Sequence, residues 1–127
     1  MYTLAIRDYL KCAHSLQGET FGLAQLLHVI TYDVEVVFTT PELSPDGIVC
    51  DFATAQETLY NTLGSMNFKN LDELPFLQGK NTTTEFLCKY IHGQIAAAMA
   101  DKFRGDVKVI MRESPVAWTT YEGKVGG

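Results

Sequence analysis

Hydrophobic and polar residues alternate along two stretches near the start of the chain. Within Tyr2–Leu16, Leu4 and Ile6 alternate with more polar or smaller residues and would share one face of a strand. This pattern predicts a first strand that ends near Gly18. The alternation is clearest in His28–Thr40, where one face carries a β-branched or aromatic residue at every second position: Tyr32, Val34, Val36 and Phe38. The pattern therefore predicts two strands in the first third of the chain.

The spacing of apolar residues then changes to three and four, which is typical of an amphipathic helix. After a turn and a short extended piece at Ile48–Phe52, a helix is predicted over Ala53–Gly64, with Gly64 as its stop. We expect Asp51 to cap this helix and Phe52 to join the core. The apolar face of the helix consists of Phe52, Ala55, Leu59 and Leu63.

A second helix is predicted to begin at a capping box, in which the Thr82 hydroxyl accepts from a backbone amide and Glu85 reaches back to the cap amide. It continues to about Asp101, with an apolar face of Leu87, Tyr90, Ile91, Ile95, Ala98 and Met99. Between the helices, Ser65–Lys80 has no sustained period and is predicted to form an ordered loop that lines a site.

Two further strands are predicted at Asp106–Glu113 and Val116–Tyr121, separated by a bend at Pro115. Because the helices are segregated from the strands, the order predicts an α+β fold with a four-stranded antiparallel sheet and both helices on one face. The chain is long enough for a single domain, 1–127. Four strands do not close a barrel, so the sheet edges are expected to be covered by neighbouring subunits.

Composition narrows the function classes. The chain is 46% hydrophobic and 20% charged, as in an ordinary globular domain. A net charge of −5 and the absence of adjacent basic residues argue against a nucleic-acid partner. No apolar run approaches the roughly 18 residues of a membrane span, and no targeting segment is recognisable, so a cytoplasmic protein without a membrane partner is expected. The cysteines form no C-x-x-C pair and are expected to be reduced: Cys12, Cys50 and Cys88.

Several segments, read together, carry a resemblance to a known family: Ala13–Leu16, Leu27–Val36, Gly47–Phe52, Asn81–Leu87 and Glu113–Ser114. From about Ile6 to Tyr121 the sequence resembles the 6-pyruvoyltetrahydropterin synthase and 6-carboxytetrahydropterin synthase family. The resemblance implies a T-fold, in which three subunits join their sheets into a twelve-stranded barrel and two trimers commonly stack into a hexamer. It also implies active sites at subunit contacts, which agrees with the expectation that the sheet edges are covered.

The zinc ligands of this family are only partly present. Members hold zinc with one histidine in an A-H-x-L segment and two in an L-H-G-H segment. Residues i and i+2 of a strand lie on the same face, so the two histidines of the second segment can bind one ion while a neighbouring strand supplies the third. His14 and His28 occupy the first two places, but Ile30 stands at the third and Val29 replaces the glycine. We therefore expect no tightly bound zinc, no other cofactor, and two vestigial histidines that line the site. The alternative is an altered metal site with one of two replacement ligands, Glu19 or Gln25.

The family's catalytic groups are replaced. Members use a cysteine shortly before the L-H-G-H segment and an Asp-His pair between the helices for proton transfer. Ala24 stands at the cysteine position, and Asn67 and Phe68 stand where Asp-His is expected. Neither an amide nor a phenyl ring can act as a carboxylate base or an imidazole acid, so no catalytic residue is assigned. Cys12, two residues before His14, is the one rescue candidate; its alternative role is that of a small buried hydrophobe.

The residues that recognise the pterin ring in the family are better preserved. Glu113 matches the carboxylate that anchors the ring's 2-amino and N3 hydrogens. A carboxylate suits this task because it can accept two roughly parallel N–H bonds. Thr83, Thr84 and Glu85 match the segment at the start of the second helix that meets the heterocycle. The alternatives are a surface carboxylate for Glu113 and helix capping for the threonine segment.

The sequence thus predicts a ligand site composed of Glu113, Thr83, Thr84, Glu85, His14 and His28. The leading hypothesis is a divergent homo-oligomer that binds a pterin or a related purine-like ring and lacks the standard zinc-dependent synthase activity. One alternative is an active synthase, a carbon-oxygen lyase, with altered metal ligands. The other is a structural or regulatory T-fold subunit without catalysis.

Overall fold

The computed structural model describes residues 1–127 and contains four strands and two long helices. The strands are β1 (Tyr2–His14), β2 (His28–Thr40), β3 (Gly105–Ser114) and β4 (Ala117–Val125). The helices are α1 (Phe52–Gly64) and α2 (Thr84–Met99). Short 3-10 helices lie at Glu19–Gln25, Leu71–Glu73 and Pro75–Leu77, the last two within the predicted loop. Neither long helix has the length and hydropathy of a membrane span.

The strands form one antiparallel sheet in the order β1-β2-β3-β4, so the predicted α+β architecture is confirmed. β1 pairs with β2 along its whole length, from Tyr2 opposite Thr40 to His14 opposite His28. β3 pairs with β2 only from Asp33 to Thr39. The beginning of β2 therefore extends beyond β3 and leaves one corner of the sheet open beside the start of α2.

Both helices cover the same face of the sheet. The alternation predicted for β2 places Val34, Val36 and Phe38 fully inside, in the same hydrophobic cluster as the buried residues of α1 and α2. Full burial of an apolar side chain of this size stabilises the fold by about 1.5–3 kcal/mol. The opposite face carries charged side chains in three cross-strand ion pairs: Arg7–Asp33, Arg112–Glu35 and Lys124–Asp106. Because one face of the sheet is apolar and the other is charged, the alternation of residues along each strand could be predicted to mark the buried face.

The start of α2 differs from the prediction. The N-cap is Thr83, whose hydroxyl accepts from the Phe86 amide at 3.1 Å, and not Thr82. Thr82 lies outside the helix because its hydroxyl contacts the His14 ring. Glu85 is then at the second helical position and is exposed, so the predicted capping box does not form. A long-range contact has displaced the cap by one residue.

Two predictions around α1 are also wrong. Residues 48–51 form bends and irregular backbone and no strand, and α1 begins at Phe52. The Phe52 side chain is 54% exposed, and the buried residues of the helix are Ala55, Leu59 and Leu63. Asp51 precedes the helix as its N-cap residue, and its carboxylate accepts from the Thr54 hydroxyl at 2.5 Å. The Thr54 hydroxyl lowers the pKa of Asp51.

One edge of the sheet is covered by the chain itself. The Asn67 side chain accepts from the Lys11 amide at 3.0 Å and donates to the Tyr9 carbonyl at 3.1 Å. The following backbone continues the contact: the Phe68 amide donates to Lys11 O at 2.6 Å, and Ala13 donates to Lys69 O at 3.0 Å. The carboxamide thus pairs with β1 as a neighbouring strand does, and only the first part of this edge stays open.

This contact predicts the effect of an acidic residue at position 67. Asn67→Asp removes the donor to Tyr9 O and sets a carboxylate oxygen against that carbonyl. We expect the free energy of unfolding to fall by about 1 kcal/mol, the typical value of one hydrogen bond. Urea denaturation at pH 7 measures it, with Asn61→Asp as the control, because Asn61 is exposed on α1. Equal effects of the two substitutions would contradict this role of Asn67.

Candidate functional site

Two histidines face each other where β1 ends and β2 begins. His14 and His28 are direct cross-strand partners, and their ring centroids are 4.6 Å apart. His14 Nδ1 is 3.0 Å from the Thr82 hydroxyl oxygen. His28 Nδ1 lies 2.9 Å from the Leu26 carbonyl, an acceptor that fixes the His28 proton on Nδ1. The strand register has therefore brought together the two histidines that the sequence singled out.

The environment of this pair favours a neutral His14. The side chain is only 2% exposed, and burial is the largest cause that lowers its pKa. The neighbouring His28 lowers the pKa further, whereas Asp72 and Glu113 act in the opposite direction. A neutral imidazole can accept a hydrogen bond from a ligand or act as a polar wall.

A third metal ligand is missing from this corner. Ile30 follows His28 on the same face of β2 and lies opposite Cys12 of β1, where it packs partly buried against the core. Its side chain has no lone pair, and nowhere in the chain do three His, Cys, Asp or Glu side chains come together as a metal site. The residues present therefore do not fit a zinc centre with three protein ligands.

The alternative ligands and the rescue nucleophile are placed unfavourably. Glu19 is exposed, and the Gln25 side chain donates to the Gly22 carbonyl at 3.1 Å. Burial raises the pKa of the Cys12 thiol to about 11. At neutral pH the thiol is therefore protonated, and Cys12 behaves as a small buried hydrophobe.

The positions of the family's proton relay hold other groups. Ala24 lies in the 3-10 helix before β2. Asn67 holds the edge of β1, as described above. Phe68 has a left-handed backbone, with φ 62°, and an 82% exposed side chain. None of these three side chains can accept or release a proton at neutral pH.

The strongest polar arrangement is a chain of hydrogen bonds at the start of α2. The Thr84 hydroxyl donates to Glu113 Oε1, and the Tyr32 hydroxyl lies 3.0 Å from the Thr84 oxygen. Tyr32 and Thr84 are buried, whereas Glu113 is exposed at the end of β3 and forms no ion pair. Thr84 and Glu113, predicted separately, are thus in direct contact, and the carboxylate is fixed on one side and open on the other.

The remaining predicted residues contribute less directly. Thr83 uses its hydroxyl as the cap of α2, and the exposed Glu85 side chain makes no hydrogen bond. Sequence reasoning did not assign Tyr32 or Thr82 to the site. For Tyr32 a signal existed, because a tyrosine on the inward face of a strand requires a partner for its hydroxyl. Thr82 connects the two halves of the site, since it contacts His14 and lies two residues before Thr84.

Comparison with known proteins shows the family and the fold of the chain. The family model described as 6-pyruvoyl tetrahydropterin synthase matches residues 3–124. The 6-carboxy-5,6,7,8-tetrahydropterin synthase of Bacillus subtilis (strain 168) is 24% identical over 125 residues, which cover 94% of this chain and 84% of that protein. The structure of Caenorhabditis elegans 6-pyruvoyl tetrahydropterin synthase superposes with a TM-score of 0.84 at 25% identity, covering 96% of this chain and 95% of the other.

A more distant relative has the same fold. The 6-pyruvoyl tetrahydropterin synthase of Plasmodium vivax gives a TM-score of 0.80 at 17% identity and covers 98% of both chains. The family model spans nearly the whole sequence, and the four-stranded sheet with two helices is the T-fold of these structures. The chain therefore belongs to the 6-pyruvoyl tetrahydropterin synthase family.

Proposed function

We propose that this chain binds a pterin or a related purine-like ring through Glu113 and does not catalyse the standard zinc-dependent synthase reaction. The observation that carries the proposal is the Glu113 carboxylate, which is held by the Thr84 hydroxyl and exposed on its other side. His14, Thr82 and Thr84 lie around the same corner of the sheet.

A carboxylate in this position suits a ring with adjacent N–H donors. Each carboxylate oxygen has two lone pairs, so Oε1 can accept from Thr84 and still accept from a ligand, while Oε2 accepts a second N–H. The 2-amino and N3 hydrogens of a pterin are spaced for such a two-fold contact, as are the 2-amino and N1 hydrogens of a guanine. Charge-assisted bonds of this kind are roughly twice as strong as neutral ones.

The chemistry of the standard reaction lacks support from the same corner. Ile30 replaces a metal-ligating side chain, and Ala24, Asn67 and Phe68 replace the groups that would move protons. Those replacements leave neutral His14 and buried Cys12, whose thiol is protonated at neutral pH. Binding without standard turnover is therefore the function that the remaining residues favour.

The ligand site is proposed to be completed by other copies of this chain, as a homo-oligomer of the trimer or hexamer type. Glu113 is exposed in the single chain, so a bound ring needs a further wall to exclude water. Large apolar side chains are also exposed before and within β2, near His28: Leu23, Leu26, Leu27 and Val29. Burial of this surface between subunits would supply the missing enclosure.

The test combines binding, metal content and turnover on the purified protein. We expect isothermal titration with pterin to give a saturable curve, metal analysis to give far less than one zinc per chain, and incubation with dihydroneopterin triphosphate to give no product. Stoichiometric zinc together with product formation would show that the chain is an active synthase. No heat with either pterin or guanine would instead favour a structural or regulatory subunit.

A further inference from the structure

We propose that Tyr32 is a positioning residue, which orients the Glu113 carboxylate through Thr84 and thereby favours rings with a 2-amino group over their 2-oxo analogues. This inference rests on the proposed function, because it concerns the same carboxylate. Tyr32 does not itself contact the ligand in this scheme.

The direction of the hydrogen bonds follows from the donors available. An ionised carboxylate only accepts, so the single hydroxyl proton of Thr84 is used for Glu113 Oε1. The Thr84 oxygen can then only accept from Tyr32, whose hydroxyl lies at 3.0 Å. The order of donation is therefore Tyr32 to Thr84 to Glu113, and the phenol proton determines which way the threonine hydroxyl points.

Tyr32 is suited to this task because it cannot move or ionise easily. Its side chain is 1% exposed, and β1 pairs with this part of β2 through Leu10. Burial raises the pKa of the Tyr32 hydroxyl above its ordinary value, so the phenol stays a donor at neutral pH. Without this donor, the Thr84 oxygen keeps an unsatisfied lone pair in a buried place, and the carboxylate alone holds the direction of its hydroxyl.

No other protein group orients Glu113. The basic residue next to it, Arg112, bonds Glu35 at 2.8 Å on the charged face of the sheet. The Thr84 hydroxyl is the one side-chain donor to the Glu113 carboxylate. Because the carboxylate is otherwise exposed, its plane depends on Thr84, and through Thr84 on Tyr32.

A fixed carboxylate plane affects selectivity more than affinity alone. Pterin presents an amino group and an N–H side by side, and both can donate to Glu113. Lumazine has a carbonyl in place of the 2-amino group, so one carboxylate oxygen would face an acceptor. A site that holds both oxygens in place rejects this analogue, since its polar atoms cannot be satisfied. A carboxylate free to rotate can turn one oxygen away and tolerate lumazine better.

The experiment measures dissociation constants for pterin and lumazine by titration with Tyr32→Phe, Thr84→Val, the double variant and Thr84→Ser. We expect Tyr32→Phe to weaken pterin about 3- to 10-fold, the effect of one hydrogen bond, and to reduce the pterin-to-lumazine ratio. Thr84→Val should show a similar or larger loss, and the double variant should be no weaker than Thr84→Val alone. Thr84→Ser, which keeps the hydroxyl, should restore binding.

The control is Tyr121→Phe. Tyr121 is a half-buried tyrosine of β4 on the face beneath α2, and its ring packs against the His92 ring, with 4.9 Å between the ring centroids, and not against Thr84. Melting temperatures of all variants show whether a loss of binding follows from a loss of folding. A Tyr32→Phe protein with unchanged affinity and ratio, while Glu113→Ala loses pterin, overturns this inference and leaves the proposed function intact. Unchanged binding in Glu113→Ala overturns both.

Discussion

Glu113→Ala is expected to weaken pterin binding by about 100-fold, which corresponds to about 2.7 kcal/mol. The variant removes the two charge-assisted hydrogen bonds proposed for the ring, and in the proposed enclosure between subunits it leaves the ring's N–H donors without acceptors. Truncating one partner of such a charged pair typically costs about 2–5 kcal/mol. Isothermal titration with pterin, at a protein concentration suited to the weaker constant, measures the change.

Two controls separate recognition of the ring from general charge effects. Glu122→Ala removes a carboxylate from an exposed position of β4, and we expect no change in affinity. Glu113→Gln keeps the shape of the side chain but replaces one acceptor by a donor, so it should lose nearly as much affinity as alanine. If Glu113→Ala bound pterin as tightly as the unaltered protein, Glu113 would be a surface carboxylate only.

Ile30→His is expected to create a zinc site, with affinity increased by at least about 100-fold, because a missing ligand costs more than the 10–100-fold of an indirect defect. Position 30 follows His28 on the same face of β2, and His14 lies opposite His28 on β1. The variant would supply three imidazoles, the number typical of catalytic zinc. Metal analysis after dialysis against zinc, followed by competition with a chelator, measures the gain.

Val29→His provides the matched control. It adds the same side chain one residue earlier, where the strand's alternation directs it to the opposite face. Val29 is 66% exposed in the single chain, so the added imidazole points away from His28 and should give no gain in zinc affinity, even if it weakens the proposed contact between subunits. Equal zinc binding by both variants would mean that the histidines at 14 and 28 do not form part of the site. Neither variant should acquire synthase turnover, because Ala24, Asn67 and Phe68 remain.

The fold was predictable where burial follows a local period. The alternation in β2 gave its bounds as His28–Thr40, the bounds of the strand in the structure. The same argument failed at Phe52, because the helical spacing places it on the apolar face but the helix begins there and the side chain emerges into solvent. The point where a helix or strand ends depends on contacts with residues outside it, and the periodicity of the sequence carries no information about those contacts.

The residues of the candidate site could be predicted from the sequence only one at a time, from the chemistry that each residue type can perform. Glu113 and Thr84 could be assigned one by one, but their contact joins residues 29 positions apart in the chain. Tyr32 and Thr84 are 52 positions apart, and Asn67 is 58 from Tyr9. These contacts depend on how α2 and the loop before it pack on the sheet, which a pattern along one strand does not determine.

The Asn67 contact with β1 also limits how another strand can add to this sheet. The backbone N–H and C=O groups of β1 that face away from β2 belong to every second residue. Among them, the Tyr9 carbonyl, both backbone groups of Lys11 and the Ala13 amide are already hydrogen-bonded. A strand from a second copy can therefore form a ladder only with the backbone of Thr3, Ala5 and Arg7. The Asn67 carboxamide therefore limits the length over which a strand of another copy could pair along this edge.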